Sequence, residues 1–217
     1  KYNDLDSMGA DSNLHLPLWQ LLRASTAAPI YFPPEEIEVA GEKFIFLDGA
    51  ITPYNNPAFQ AYLMSTLKEY NLNWTKGEEN LLVVSVGTGL STLIQPFLKL
   101  SNMGFVHQAT KTVSHILNAV GYQQDLLCRV VGKCLVGYEL DGEVGDLIDN
   151  EAKEKKAFTY LRYNAQLDKK GLQLLGLGHL NPKDLQKLDA VDKVHLLKEV
   201  GEAVARDEVD IRHFEGF

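Results

Sequence analysis

Apolar residues recur at helical spacing near the start of the chain. Residues 17–24, PLWQLLRA, carry Leu18, Leu21 and Leu22 on one side of a short predicted helix, with Pro17 at its first position. Small residues and Pro29 end it, and Pro33-Pro34 marks a loop. Residues 37–39 and 43–47 are two β-rich runs around Ala40-Gly41-Glu42, the pattern of a hairpin. Pro57 opens a second helix with Phe59, Tyr62, Leu63 and Leu67 as its apolar positions and Asn56 as its N-cap. The polar stretch NLNWTKGEEN, 71–80, connects it to LLVVSV, 81–86. That run has no alternating polar face, which predicts a central strand covered on both sides in a parallel sheet.

The order strand, helix, strand over 43–86 reads as a βαβ unit and implies an α/β layered fold. Residues 103–136 are mostly helical in pattern, with Gly132 and Gly137 near the end. Residues 141–149 form an acidic, turn-rich loop, and 160–167 suit a last strand. Residues 182–206 read as one or two helices with Leu185, Leu188, Val191, Val194 and Leu197 on one side. No internal repeat interrupts the pattern. The pattern shows no convincing domain boundary; the expected division is an α/β part over 1–150 and a mainly helical extension packed on it over 151–217.

With 217 residues, 45% of them hydrophobic and 23% charged, the chain can bury a sizeable core. The net charge of −8 argues against nucleic acid as a partner. It also opposes broad attraction to anionic lipid, although a local basic patch can still dock. Two cysteines, Cys128 and Cys134, are too few for a disulfide framework and sit in apolar surroundings. No stretch approaches the roughly eighteen apolar residues of a membrane span, and no secretory leader opens the chain. The expectation is a cytoplasmic or membrane-peripheral protein. The opening KYNDLDSMGADSNLH is polar, lacks Met and reads as the middle of something longer.

Asp48-Gly49 follows the apolar run Phe44-Ile45-Phe46-Leu47 directly. As local structure it is a turn. As chemistry, a carboxylate at the carboxyl end of a strand in a layered α/β fold lies where ligands bind, and it serves as a general base when a nucleophile is within hydrogen-bond reach. Asn55 and Asn56 suit holding that loop and capping the next helix. Gly87-Thr88-Gly89 lacks the Lys-Ser/Thr ending and the third glycine of a phosphate loop, so close backbone approach explains its glycines. The six histidines show no metal-ligand spacing, and neither a metal nor a cofactor is expected. No Gly-x-Ser-x-Gly elbow occurs in the 217 residues, and Ser85 lacks its flanking glycine.

Three segments together resemble the patatin-like phospholipase family. They are residues 18–33, LWQLLRASTAAPIYFP; Asp48-Gly49-Ala50 followed by Asn55-Asn56-Pro57; and Val84-Ser85-Val86-Gly87-Thr88-Gly89. The tail, from Tyr160-Leu161-Arg162-Tyr163-Asn164 to His213-Phe214-Glu215-Gly216-Phe217, is similar to bacterial members. The resemblance implies the C-terminal part of a three-layer α/β/α sandwich with a mostly parallel sheet. It implies a lipid acyl hydrolase working through a Ser–Asp dyad, with Asp48 as the serine's proton acceptor and Gly49, Ala50, Asn55 and Asn56 as supporting motif residues. The family's serine and Gly-rich oxyanion loop lie N-terminal to the Ala-Ala-Pro segment, so the expected partners are a lipid or acyl-ester substrate and an N-terminal part bearing the nucleophile. The chain by itself is then expected to be inactive. The rival expectation is a binding or scaffold module that uses a degenerate form of the fold without catalysis.

Overall fold

The computed structural model describes residues 9, 12–29, 31–90, 105–148, 155–186 and 191–217. The chain forms two compact units, Lys1–Asn55 and Asn56–Phe217.

In the first unit, helix α1 (Leu18–Ser25) precedes an antiparallel hairpin of β1 (Glu35–Val39) and β2 (Glu42–Phe46). The hairpin is the one the sequence predicts. Its two turn residues, Ala40 at φ 53° and Gly41 at φ 75°, are both left-handed. That is the backbone of a type I′ turn, whose twist matches the flanking strands. Ala24 of α1 packs with Ile37 and Val39 of β1, and Phe44 of β2 lies against them. This small cluster leaves much apolar surface outside it: Leu18 is 70%, Trp19 67% and Ile45 72% exposed. The predicted apolar stripe of α1 therefore faces solvent, because only Ala24 of that helix is buried.

The second unit holds α2 (Ala58–Thr66), β3 (Leu82–Val86), α3 (Phe105–Val131), β4 (Lys133–Val136), β5 (Thr159–Tyr163), α4 (Lys169–Leu174), α5 (Pro182–Leu185) and α6 (Val194–Glu208). The strands form a parallel sheet in the order β3-β5-β4. The α/β class expected from the sequence is the observed one. One face of the sheet, through Val83, Tyr160 and Cys134, meets Ala58 and Tyr62 of α2 and Cys128 of α3, with Phe158 beside them. A second cluster joins Leu167, Leu172, Leu175, Leu185, Val200 and Ala203.

Several expectations need correction. β2 and β3 belong to different sheets, so 43–86 is not a βαβ unit. The parallel pairs are instead β3 with β5 and β4 with β5. Among the described residues β3 pairs only with β5, so the second neighbour of the expected central strand is not found among them. Its alternate residues Val83 and Ser85 are buried, while Val84 is 43% and Val86 76% exposed. The helical text of 103–136 ends at Val131, and residues 103 and 104 lie outside the described residues. Lys133–Val136 is a strand, separated from α3 by Gly132 alone. A Cβ on Gly132 would lie 2.5 Å from the Phe158 ring, so the chain reverses where only glycine fits. Of the stripe expected over 182–206, Val191 is 80% and Val194 58% exposed; Leu185, Val200 and Ala203 carry the burial, and Leu188 lies outside the described residues. In the acidic loop, Asp141 bridges to Gly145, and Asp149 lies outside the described residues. Residues 151–217 supply the sheet's middle strand as well as helices.

Arg129, near the end of α3, is 2% exposed and ties the next loop down. Its Nε and Nη2 donate to the two carboxylate oxygens of Asp125, and its Nη1 donates to the carbonyls of Tyr138 and Asp146 at 2.7 and 2.6 Å. The pair lowers the cost of a buried charge by satisfying it on every side.

Candidate active site around Asp48

Asp48 is half-buried just past the end of β2. Its backbone N–H donates to the carbonyl of Ala27 at 3.0 Å, and Ala27 is fully buried. The small-residue segment after α1 and the Asp-Gly turn are thereby joined. The carboxylate Oδ1 accepts from the N–H of Ala50 at 2.7 Å and caps the 3-10 turn Gly49–Ile51. Among the described residues no group hydrogen-bonds Oδ2. Thr52 closes the turn, donating from its hydroxyl to the Gly49 carbonyl at 2.6 Å. A carboxylate held by one oxygen with the other open has the geometry to accept a proton.

Gly49 takes part in the expected turn without a left-handed φ. A Cβ there would meet only Tyr54 Cβ at 3.7 Å and Thr52 Oγ1 at 4.0 Å, ordinary contacts. Ala50 serves through its backbone N–H. Asn55 donates its N–H to the Thr52 carbonyl at 3.1 Å, within the same local turn.

Asn56 begins the second unit and is 3% exposed. Its Oδ1 accepts from the Ala58 N–H at 3.3 Å, the capping role its sequence position suggests, although α2 proper starts at Ala58. The same Oδ1 accepts from the Ser85 hydroxyl at 2.9 Å, and Ser85 Oγ in turn accepts from Arg162 Nη1 at 2.8 Å. The Asn56 amide faces the Tyr160 hydroxyl at 3.5 Å. Ser85 and Arg162 are register partners on β3 and β5. Ser85 is therefore a buried structural hydroxyl that bridges the start of α2 to the sheet.

The Gly87-Thr88-Gly89 turn is explained by this packing. A Cβ on Gly87 would fall 2.1 Å from Asn164 Oδ1 and 2.9 Å from Arg162 Nη2. Gly89, at φ +102°, lies against Leu167 and donates its N–H to Asn164 Oδ1 at 2.9 Å. Sequence reasoning named Ser85 and the glycines, and gave Arg162 and Asn164 only within the tail that resembles the family, not as their partners. The available signal was Ser85 itself, because a hydroxyl inside a buried apolar run requires a partner.

Among the described residues no group of His, Cys, Asp or Glu is arranged to hold a metal ion. Cys128 and Cys134 are buried, and burial pushes their thiols up to about 12 and about 11. Neither is a thiolate at neutral pH. No helix of the described residues is long and apolar enough to cross a membrane.

The family model of patatin-like phospholipases matches residues 2–62. An intracellular phospholipase A2 of Caenorhabditis elegans is 33% identical over 123 residues, which is 53% of this chain and 10% of that protein. The chain thus matches about a tenth of the length of this curated relative. It is to the patatin-like phospholipases that this chain is similar, and the matched stretch is the one that carries the Asp48 turn.

Proposed function

We propose that this chain is the aspartate-bearing part of a lipid acyl hydrolase that works through a Ser–Asp dyad. Asp48 is the proton acceptor: it takes the proton of a serine hydroxyl as that oxygen attacks the ester carbonyl and returns it to the leaving alcohol, and then takes a proton from the water that cleaves the acyl-serine and returns it to the serine oxygen, releasing the acid. Gly49 and Ala50 keep the carboxylate fixed and approachable, and Asn55 and Asn56 hold the chain that follows. The serine comes from outside these residues, on an N-terminal part of the same protein. The chemistry is a proton relay between two side chains and calls for no metal or cofactor.

The observation that carries the reading is the position of Asp48 inside the stretch matched by the patatin-like phospholipase model, with Oδ1 fixed by Ala50 and Oδ2 without a hydrogen bond among the described residues. The relative's printed name, a phospholipase A2, supports a lipid ester as substrate. Two further features support an N-terminal part packing here. β3 leaves an edge unpaired among the described residues, with Val84 and Val86 uncovered, and parallel sheets are normally covered on both faces. The apolar side of α1 is uncovered as well. The reading places the protein in the cytoplasm, meeting membranes from the periphery. In this reading residues 1–150 form most of the catalytic α/β part, and 151–217, which also supply β5, extend it.

The test is hydrolysis of a p-nitrophenyl acyl ester by the purified 217-residue chain, alone and combined with the serine-bearing part. The chain alone is expected to be inactive, because loss of the nucleophile from a serine-hydrolase site costs on the order of a million-fold. The combination is expected to turn over. Robust turnover by the chain alone would overturn the division of labour. Inactivity of a folded combination would favour the scaffold module, which the absence of a Gly-x-Ser-x-Gly elbow within these residues otherwise suits.

A further inference from the structure

The connection between α2 and β3 displays large apolar side chains on irregular backbone. Every residue of 68–76 is exposed. Tyr70 is 46%, Leu72 53% and Trp74 58% exposed. α1 and β2 also expose apolar residues, but they are regular elements whose stripes suit a protein core. A loop tip is ordinarily polar, and a loop that departs from this carries function more often than packing.

The loop is held in one shape. Trp74 donates its N–H to the Ser65 carbonyl at 2.8 Å, Gly77 donates to the Ala157 carbonyl at 2.8 Å, and Gln60 Nε2 donates to the Tyr70 hydroxyl at 3.1 Å. Asn71 at φ 61° and Asn73 at φ 52° both adopt the left-handed conformation, which Asn takes more readily than other residues with a Cβ. This backbone brackets Leu72 and leaves both it and Trp74 in solvent. Lys68 and Lys76 flank the tip with Glu69 as its one acid, and Glu78 and Glu79 follow on the way to β3, so the lysines are local positive points beside the apolar tip in a connection of mixed charge.

We propose that loop 68–76 docks the protein on a phospholipid bilayer. Trp and Tyr partition to the headgroup level, where an apolar ring and a polar tip are both satisfied, and Leu72 reaches the acyl boundary. Lys68 and Lys76 extend to the phosphates at the same depth. The purpose of the surface rests on the lipid-hydrolase reading. Its test reads binding alone, so the two fail separately.

Trp19→Phe leaves Trp74 as the single tryptophan of the 217-residue chain. With phosphatidylcholine vesicles containing a minority of phosphatidylserine, Trp74 emission is expected to shift to the blue and to be quenched by brominated acyl chains. Leu72→Ser with Trp74→Ser is expected to weaken vesicle co-sedimentation on the order of tenfold or more, since each tenfold corresponds to about one partly buried apolar side chain. Both residues are exposed, so circular dichroism and Tm should not move. Lys68→Gln with Lys76→Gln should weaken binding to the mixed vesicles more than to pure phosphatidylcholine. Absence of quenching, or co-sedimentation of the Leu72/Trp74 variant equal to the parent's, would overturn the proposal and mark the loop as a protein contact.

Discussion

The N–H of Asp48 donates to the carbonyl of Ala27 at 3.0 Å, so two stretches separated by a whole hairpin meet at one backbone hydrogen bond. Ala27 is fully buried and sits in the small-residue segment after α1. Bond and cap together fix Asp48 on both sides: its backbone by Ala27, and its Oδ1 by Ala50. The carboxylate that the proposed chemistry requires is positioned by main-chain groups, so its placement does not depend on mobile side chains.

Two glycines in this chain should respond oppositely to alanine. Gly87→Ala places a methyl 2.1 Å from Asn164 Oδ1, and overpacking of this kind costs about 1–3 kcal/mol. Gly49→Ala meets nothing closer than 3.7 Å at an ordinary φ, and should change stability by less than about 0.5 kcal/mol. Urea unfolding of the two variants measures both. If Gly49→Ala then lowers esterase activity while leaving stability alone, Gly49 acts in the site and not in the turn.

The Arg129–Asp125 pair should behave as a buried unit. Asp125→Ala leaves a guanidinium that is 2% exposed without its carboxylate, at a cost of about 3–5 kcal/mol. Asp125→Ala with Arg129→Met removes both charges and should recover part of that loss. Thermal unfolding decides it, and a single variant as stable as the parent would contradict the arrangement.

The parts of the fold that could be read from the sequence are those decided by neighbouring residues. The hairpin was legible because Ala40-Gly41 sets its own turn, and Asn56 because a cap acts two residues away. The apolar text of β3 anticipates two covered faces, and Val84 and Val86 are open among the described residues, because what covers a face lies far off in sequence. Lys133–Val136 was missed because Cys134, Leu135 and Val136 continue the apolar text of α3 and only Gly132 interrupts it. The Ser85–Arg162 contact spans 77 positions, and no local pattern announces such a pairing. Asp48 was legible as a candidate only through its neighbours in the motif, since an Asp-Gly turn alone has a sufficient local explanation.

The buried thiols make stability depend on alkaline pH. Cys128 and Cys134 are raised to about 12 and about 11 by burial, against an ordinary thiol value of about 8.5. The folded state therefore holds these protons more tightly than the unfolded chain. Their contribution is fully present below about pH 8.5 and is lost as pH rises toward 11–12. Urea midpoints should fall between pH 8 and pH 11, and replacing both cysteines by Ala should flatten that fall. At pH 8 a thiol reagent such as DTNB should react with neither cysteine until the chain unfolds. Rapid labelling of the native chain would contradict their burial.

The most direct measurement is kcat for acyl-ester hydrolysis by Asp48→Asn, in the protein that carries both the serine motif and these 217 residues. Asn keeps an oxygen to accept from the Ala50 N–H, so the turn and its bond to Ala27 should persist and circular dichroism should not change. The amide cannot take the serine's proton, and positioned general bases contribute roughly a hundred to ten-thousand-fold. The predicted result is a loss of kcat in that range with folding intact. A folded Asp48→Asn variant with near-normal kcat would show that Asp48 only shapes a turn, and would contradict the proposed dyad.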